Sequence, residues 1–150
     1  MKTKIELIDR QQLEYVSFHI HELNEQIERL VQQIEQSTLF VLAKDPVKES
    51  MHKVFFKDIL YIESVDKRTF LYTDEGVFLL KEKLFELEDL LKDFDYVRVS
   101  KSMILNLDKI QAIAATTSGR FRATLNNGES VMISRFYVKK LKEKLGIRRK

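Results

Sequence analysis

The stretch Arg98-Val-Ser-Lys-Ser-Met-Ile-Leu-Asn-Leu-Asp-Lys-Ile110 decides how the C-terminal part of the chain folds. Apolar runs on either side of its polar centre predict short strands near 96–99 and 103–106, and a third strand near 110–116. Short strands at such close spacing are typical of small antiparallel sheets.

Downstream of this stretch, two more strands and a helix are predicted. The strands cover 121–125 and 130–133, and Asn127-Gly128 between them indicates a hairpin turn because both residues tolerate positive φ. The helix begins after Ser134, a suitable N-cap. Its inward-facing residues are Val138, Leu141 and Leu145.

Upstream, the same alternation of strands and turns continues back to residue 52. The predicted strands are 52–56, 60–65, 69–74 and 77–80, with a turn at Asp74-Glu-Gly76. Residues 81–93 then have helical spacing, with Leu84, Leu87, Leu90, Leu91 and Phe94 facing inward. The fold class expected for 52–146 is therefore α+β, mainly β, with two short helices.

The first 51 residues are predicted to form a strand-strand-helix-strand extension. Segments 3–9 and 14–21 alternate apolar and polar residues as strands do. An amphipathic helix follows to about Gln36, and Leu39-Phe-Val-Leu-Ala43 indicates a short buried strand. Asp45-Pro46 ends that strand, because proline lacks a backbone donor.

The predicted organisation thus has three parts, with the module boundary in residues 44–51. They are an N-terminal extension at 1–51, a strand-rich module at 52–146 and a basic tail at 147–150. Residues 1–97 contain 13 Lys/Arg and 20 Asp/Glu, a net charge of −7, whereas residues 98–150 contain 13 and 3, a net charge of +10. A basic C-terminal third of the chain suits a polyanionic partner. A solvated lysine-rich helix would explain the same charge distribution equally well.

Composition narrows the function classes. The absence of cysteine excludes disulfides, thiolate metal sites and a cysteine nucleophile. The longest apolar run, Leu39–Ala43, is far shorter than the roughly 20 residues that a membrane span needs, so we expect a soluble cytoplasmic protein without membrane insertion.

Catalytic and cofactor motifs are not apparent in the sequence. There is no glycine-rich phosphate-binding motif and no serine-centred nucleophile motif. His19 and His21 share one face of a predicted strand, but they lack a third ligand at recognisable spacing, which favours exposed histidines over a metal site. We therefore expect neither an enzyme nor a cofactor.

Three segments together resemble the LytTR family of bacterial transcription regulators. The first is Asp58-Ile-Leu-Tyr-Ile-Glu-Ser64 followed by Phe70-Leu-Tyr-Thr-Asp-Glu-Gly76. The second is the stretch 98–110, which is similar to the family pattern Arg-x-His/Ser-x-Ser-x-x-x-Asn-x-x-x-Ile. The third is Asn127-Gly-Glu-Ser-Val-Met-Ile-Ser-Arg-Phe-Tyr137. Ser100 stands where many members carry histidine.

The resemblance implies an elongated arrangement of small antiparallel sheets that binds promoter repeats in double-stranded DNA. Family members insert loops into successive major grooves, so the turns at 66–69, 101–102 and 134–135 are expected to converge along one ridge. The residues expected to bind DNA are Lys67, Arg68, Thr69, Lys101, Ser102, Ser134, Arg135 and Lys139. Phe136 would take the place of Arg135 if the alignment shifts by one residue.

Elementary chemistry is consistent with these assignments. Lys and Arg can donate to guanine O6 and N7 in the major groove. Further phosphate contacts without sequence content are expected from Lys140, Lys142, Lys144, Arg148 and Arg149. Arg98 fits an ion pair as well as a phosphate contact, and Asn106 is expected to satisfy backbone groups.

An alternative remains open for the function. The acidic extension and its apolar helix stripe would also suit a protein-interaction module that holds a regulatory partner, such as a membrane protein, without sequence-specific DNA binding. The extension is compatible with homodimerisation, with enlarging the fold or with binding such a partner. The sequence does not decide among these roles.

Overall fold

The structure of this chain is a computed structural model that describes the backbone of residues 1–149 and the side chains of residues 1–146. Within the described residues, three α-helices and ten strands make up the fold. The helices are α1 (Glu25–Thr38), α2 (Leu84–Leu90) and α3 (Arg135–Arg149). The strands are β1 (Phe40–Lys44), β2 (Met51–Phe55), β3 (Ile59–Val65), β4 (Arg68–Thr73), β5 (Gly76–Leu80), β6 (Tyr96–Ser100), β7 (Met103–Asn106), β8 (Ile110–Ala115), β9 (Phe121–Leu125) and β10 (Ser130–Ile133). Short 3-10 helices at Phe56–Asp58, Leu107–Lys109 and Thr117–Gly119 connect some of them. The side chains of the predicted basic tail, 147–150, lie outside the described residues.

The strands form two antiparallel sheets. The larger sheet has seven strands in the order β2-β1-β5-β4-β3-β7-β6, and the smaller has three in the order β10-β9-β8. This arrangement confirms the predicted fold class, mainly β with some helix.

Two hydrophobic cores lie on opposite faces of the larger sheet. Because side chains alternate along a strand, neighbouring residues of β7 serve different cores. Ile104 packs into the first core with α2, whereas Leu105 packs into the second core with β9, β10 and α3. The second core fixes α3 and the smaller sheet against β6, and thereby positions the start of α3.

The helices follow the predicted apolar spacing with small differences. Leu84 and Leu87 of α2 and Leu91 just after it are buried as predicted, but the helix covers only 84–90 and Leu90 is half exposed. In α3, Val138 and Leu141 are buried. Helix α2 ends earlier than the predicted residue 93 because residues 91–95 form turns that lead directly into β6.

The prediction of strands at 3–9 and 14–21 is wrong for this structure. No strand is assigned before Phe40 within the described residues, and residues 1–23 are almost entirely exposed. Alternation of apolar and polar residues makes a segment suited to a sheet, but a strand also needs a neighbouring strand to bond, and the fold supplies none here.

The strand predicted at 39–43 forms at Phe40–Lys44 but is less buried than expected. Ala43 is its one fully buried residue, while Phe40 and Leu42 stay exposed. β1 pairs with β2 along its length and meets β5 through Lys44 and Leu79. The chain before the predicted boundary at 44–51 therefore contributes a strand to the larger sheet.

Candidate nucleic-acid interface

The first candidate turn joins β3 to β4. Val65 pairs with Arg68, so Asp66 and Lys67 form a two-residue hairpin loop, and both have positive φ (50° and 66°). Positive φ at both loop positions matches the right-handed twist of the flanking strands. The loop holds Lys67 and Arg68 exposed at the end of the hairpin.

The second candidate turn, Lys101-Ser102, lies next to the first. Glu63 of β3 pairs with Met103 of β7, and the Ser64 N–H donates to the Ser102 carbonyl at 2.8 Å. Lys101 is exposed and Ser102 is half-buried. Both turns therefore lie at the same end of the larger sheet, on adjacent strands.

Arg98 holds the second turn in shape. Its Nε donates to the Ser100 carbonyl at 2.9 Å, a terminal nitrogen donates to the Lys101 carbonyl, and another lies 3.5 Å from Glu88 Oε1. The Arg98 side chain is 16% exposed, so these contacts occupy it. Of its two predicted roles, the structure supports the ion pair, and Arg98 acts by positioning the carbonyls around Lys101.

The third candidate segment is the start of α3. The Ser134 N–H donates to the Val99 carbonyl of β6 at 2.9 Å, which places the helix start beside the second turn. The helix begins at Arg135, as predicted, and Arg135 and Phe136 are exposed. Lys139 is also exposed and lies four residues after Arg135, on the same side of the helix.

The three segments are consecutive neighbours along one end of the larger sheet. We call residues 66–68, 101–102 and 134–135 the three-turn ridge. The hydrogen bond from Ser64 to Ser102 links β3, just before the first turn, to the second turn, and the bond from Ser134 to Val99 links the start of α3 to β6, just before the second turn. Its exposed cations are Lys67, Arg68, Lys101 and Arg135.

Gly119 is a further residue of this region that the sequence did not indicate. It lies in the loop between β8 and β9 with φ +74°, and a Cβ there would come within 2.8 Å of Arg135 Cδ. The absence of a side chain thus lets the loop pack against the aliphatic part of Arg135.

Two of the predicted contact residues are poorly accessible. Thr69 is 6% exposed, because it pairs within the sheet beside Ser64 and Leu80. Lys144 is not a free phosphate contact. Its Nζ donates to the carbonyls of Lys92, Phe94 and Tyr96, and burial lowers the pKa of its ammonium group.

Asn106 has the backbone role expected for it. It is fully buried, its Nδ2 donates to the Ile59 carbonyl at 2.8 Å, and its Oδ1 accepts from the Asp108 N–H at 3.1 Å. It thereby ties β3 to the end of β7.

Tyr61 connects the two sheets through an acidic side chain. Tyr61 of β3 donates to Glu129 Oε2 in the β9–β10 turn at 2.9 Å, and its ring stacks on Tyr72 at 4.4 Å. Burial raises the pKa of Tyr61 well above its ordinary value, and the hydrogen bond to Glu129 adds to that rise. Tyr61 is therefore a neutral donor at physiological pH.

In the described part of the chain, no three His, Cys, Asp or Glu residues are placed to hold a metal ion together. His19 contacts the Ser17 hydroxyl at 3.2 Å. Within residues 1–149, no helix combines the length and apolar character that a membrane-spanning helix needs.

Known proteins are similar to this chain in sequence or in fold. The family described as LytTr DNA-binding domain matches residues 49–146. An HTH-type transcriptional regulator of Staphylococcus aureus is 24% identical over 98% of this chain and 99% of its own length. The sensory transduction protein LytT of Enterococcus faecalis is 35% identical over 59% of this chain and 37% of that protein. Among solved structures, the LytTr DNA-binding domain of a Bacillus cereus response regulator superposes with a TM-score of 0.67 at 31% identity, covering 71% of this chain and 96% of that one.

Proposed function

The chain belongs to the LytTR family of DNA-binding domains, and on this premise we propose that it binds promoter repeats in double-stranded DNA through the three-turn ridge. The whole-length similarity to a transcriptional regulator supports a role in controlling transcription. DNA recognition of this kind needs no catalytic residue and no cofactor, and a cytoplasmic location is part of the proposal. Residues 52–146 form the DNA-binding unit in this proposal, and residues 1–51 are its extension.

The adjacency of two exposed turns and the start of α3 carries the proposal. Lys67, Lys101 and Arg135 come from segments that are distant in sequence, and the hydrogen bonds from Ser64 to Ser102 and from Ser134 to Val99 keep those segments close. Protruding turns with cationic tips fit the major groove, where Arg and Lys can donate to guanine O6 and N7.

Other parts of the ridge add affinity without sequence information. The start of an α-helix favours a phosphate through its dipole and its backbone N–H groups, so the start of α3 beside Ser134 suits such a contact. Lys139, four residues along the helix from Arg135, contacts a phosphate in this arrangement.

Substitution of the ridge cations tests the proposal. The preferred duplex is first selected from a random pool, and affinities for it and for a scrambled duplex are then compared. Lys101→Ala and Arg135→Ala should each weaken binding to the selected duplex by roughly tenfold or more, because a bidentate base contact is worth about 1–3 kcal/mol. Binding to the scrambled duplex should fall much less.

Lys48→Ala is the matched control, since Lys48 is exposed in the β1–β2 turn, away from the ridge. It should leave both affinities unchanged. Equal losses on both duplexes for Lys101→Ala and Arg135→Ala would mean that these side chains supply charge alone, and the assignment of base contacts to the ridge would be wrong.

A second candidate function rests on the exposed apolar residues of the first 23 positions. In this alternative the chain holds a regulatory protein partner and does not read DNA. A gel shift with the protein's own upstream region at near-physiological salt separates the two functions. The absence of a retarded band at micromolar protein would favour the partner function.

A further inference from the structure

Residues 3–7 carry apolar and charged side chains on opposite sides, and Ile8 and Asp9 depart from this alternation. Lys4 Nζ lies 2.6 Å from Glu6 Oε1. Residues two apart share a side in an extended chain but not in a helix. Ile5 and Leu7 alternate with this pair and are 90% and 97% exposed. The segment therefore has the side-chain arrangement of a strand without a partner strand.

This segment is complementary to itself. In an antiparallel pair of two copies centred on Ile5, each Ile5 faces the other, and Lys4 of each copy faces Glu6 of the other. Opposite charges directly across a strand pair are favourable, and this register supplies two such pairs. Thr3 and Leu7 then face each other beside the central isoleucines.

We propose that residues 3–9 of two copies of this chain pair antiparallel about Ile5 and make the protein a homodimer. The turn after this segment supports the assignment. The Gln12 N–H donates to the Asp9 carbonyl at 3.0 Å, and the Asp9 N–H donates to Gln12 Oε1 at 3.2 Å. The chain thus reverses direction before residues 14–21, so each copy brings two strand-like segments to the interface.

The second segment has the same alternation. Ser17 Oγ lies 3.2 Å from His19 Nε2, again two residues apart, while Val16 points its apolar side chain into solvent. Two copies therefore assemble four strand segments. A sheet of three or more strands with one apolar face is independently stable, whereas a lone pair of strands is not.

The open edge of the larger sheet is a poorer place for a second copy. β2 forms that edge, and an antiparallel β2–β2 pair centred on the strand would set Lys53 of one copy against Lys53 of the other. Exposed lysines on edge strands prevent such pairing. Residues 3–9 have no such repulsion in the register about Ile5.

Charge reversal at this segment tests the proposal in the full chain without DNA. Sedimentation equilibrium should give a dimer for the wild type at micromolar concentration. Lys4→Glu places acidic residues opposite Glu6 at both symmetric positions, and Glu6→Lys places basic residues opposite Lys4. Each variant alone should dimerise about tenfold more weakly or worse.

A mixture of the two variants is the decisive sample. Two acidic residues of one copy then face two basic residues of the other, so the mixture should recover the wild-type dimer, although neither chain regains its internal Lys4–Glu6 pair. Circular dichroism checks that both variants keep the fold. Lys2→Glu, two residues before Lys4, is the control and should dimerise as the wild type does.

Several results would overturn the proposal. They are a monomeric wild type up to about 100 micromolar, single variants that dimerise normally, or a mixture that stays monomeric. A monomeric wild type would point to a different protein as the partner of this segment. None of these measurements involves the three-turn ridge, so their failure is separate from a failure of DNA binding.

Discussion

Gly119 controls how Arg135 is presented from the start of α3. A methyl group at position 119 would approach Arg135 Cδ to 2.8 Å and Cγ to 3.0 Å, so the arginine side chain must move. We expect Gly119→Ala to weaken binding to the selected duplex by about tenfold, because a displaced guanidinium loses a base contact worth about 1–3 kcal/mol. Fluorescence anisotropy with selected and scrambled duplexes measures this loss.

Gly128→Ala is the matched control for this prediction. Gly128 also has positive φ (+91°), but nothing lies within 4 Å of a Cβ placed there. Both substitutions should cost about 1 kcal/mol of folding free energy from backbone strain. If both variants also lost the same DNA affinity, strain and not contact with Arg135 would be the cause.

At the scale of elements, α3 is held against the rest of the protein by Lys144. Its Nζ donates to the carbonyls of Lys92 and Phe94, in the connection between α2 and β6, and of Tyr96, the first residue of β6. Hydrogen bonds from a charged group are worth about 1.5–3 kcal/mol, and the burial that lowers the Lys144 pKa offsets part of this. We expect Lys144→Ala to lower the free energy of unfolding by about 2 kcal/mol.

Urea denaturation checks the Lys144 prediction. The midpoint should fall while the slope stays constant, because the surface exposed on unfolding is the same. Glu143→Ala, at the preceding exposed position, should leave the midpoint within about 0.5 kcal/mol of the wild type. Equal falls in the two variants would mean that the hydrogen bonds of Lys144 are not the cause.

The strands of the C-terminal part were predictable because their signals are local. Asn127-Gly128 indicates a hairpin whatever surrounds it, and β9 and β10 form on either side of it as predicted. Segments 3–9 and 14–21 have equally good alternation but form no strand. The difference lies in the partner strand, which a sequence pattern does not specify.

The candidate site was predictable in part for the same reason. The resemblance located Lys101 and Arg135, but the role of Arg98 depends on an irregularity in the β6–β7 register between Arg98 and Ser100, which turns two nearby carbonyls toward its side chain. The contact between Gly119 and Arg135 depends on how the smaller sheet packs. The local spacing of residues in the sequence therefore indicates neither the contacts of Arg98 nor the contact of Gly119.

At the scale of the whole molecule, charge is unevenly distributed. Residues 98–150 carry +10 and residues 1–97 carry −7. The strand order places β2 at one edge of the larger sheet, and β6, beside the start of α3, at the other. A duplex bound at the three-turn ridge thus contacts the basic part of the chain, and the cations near β2 lie far from the duplex.

This separation predicts which cations determine the salt dependence of DNA binding. Each phosphate contact adds about −0.9 to the slope of log affinity against log salt. Lys139→Gln removes an exposed cation beside the ridge and should make the slope shallower by about 0.9, with similar losses on selected and scrambled duplexes. Lys53→Gln removes an equally exposed cation from β2 and should leave the slope unchanged. Equal changes of the slope for the two variants would mean that net charge attracts the duplex and that the duplex has no defined binding position on the ridge.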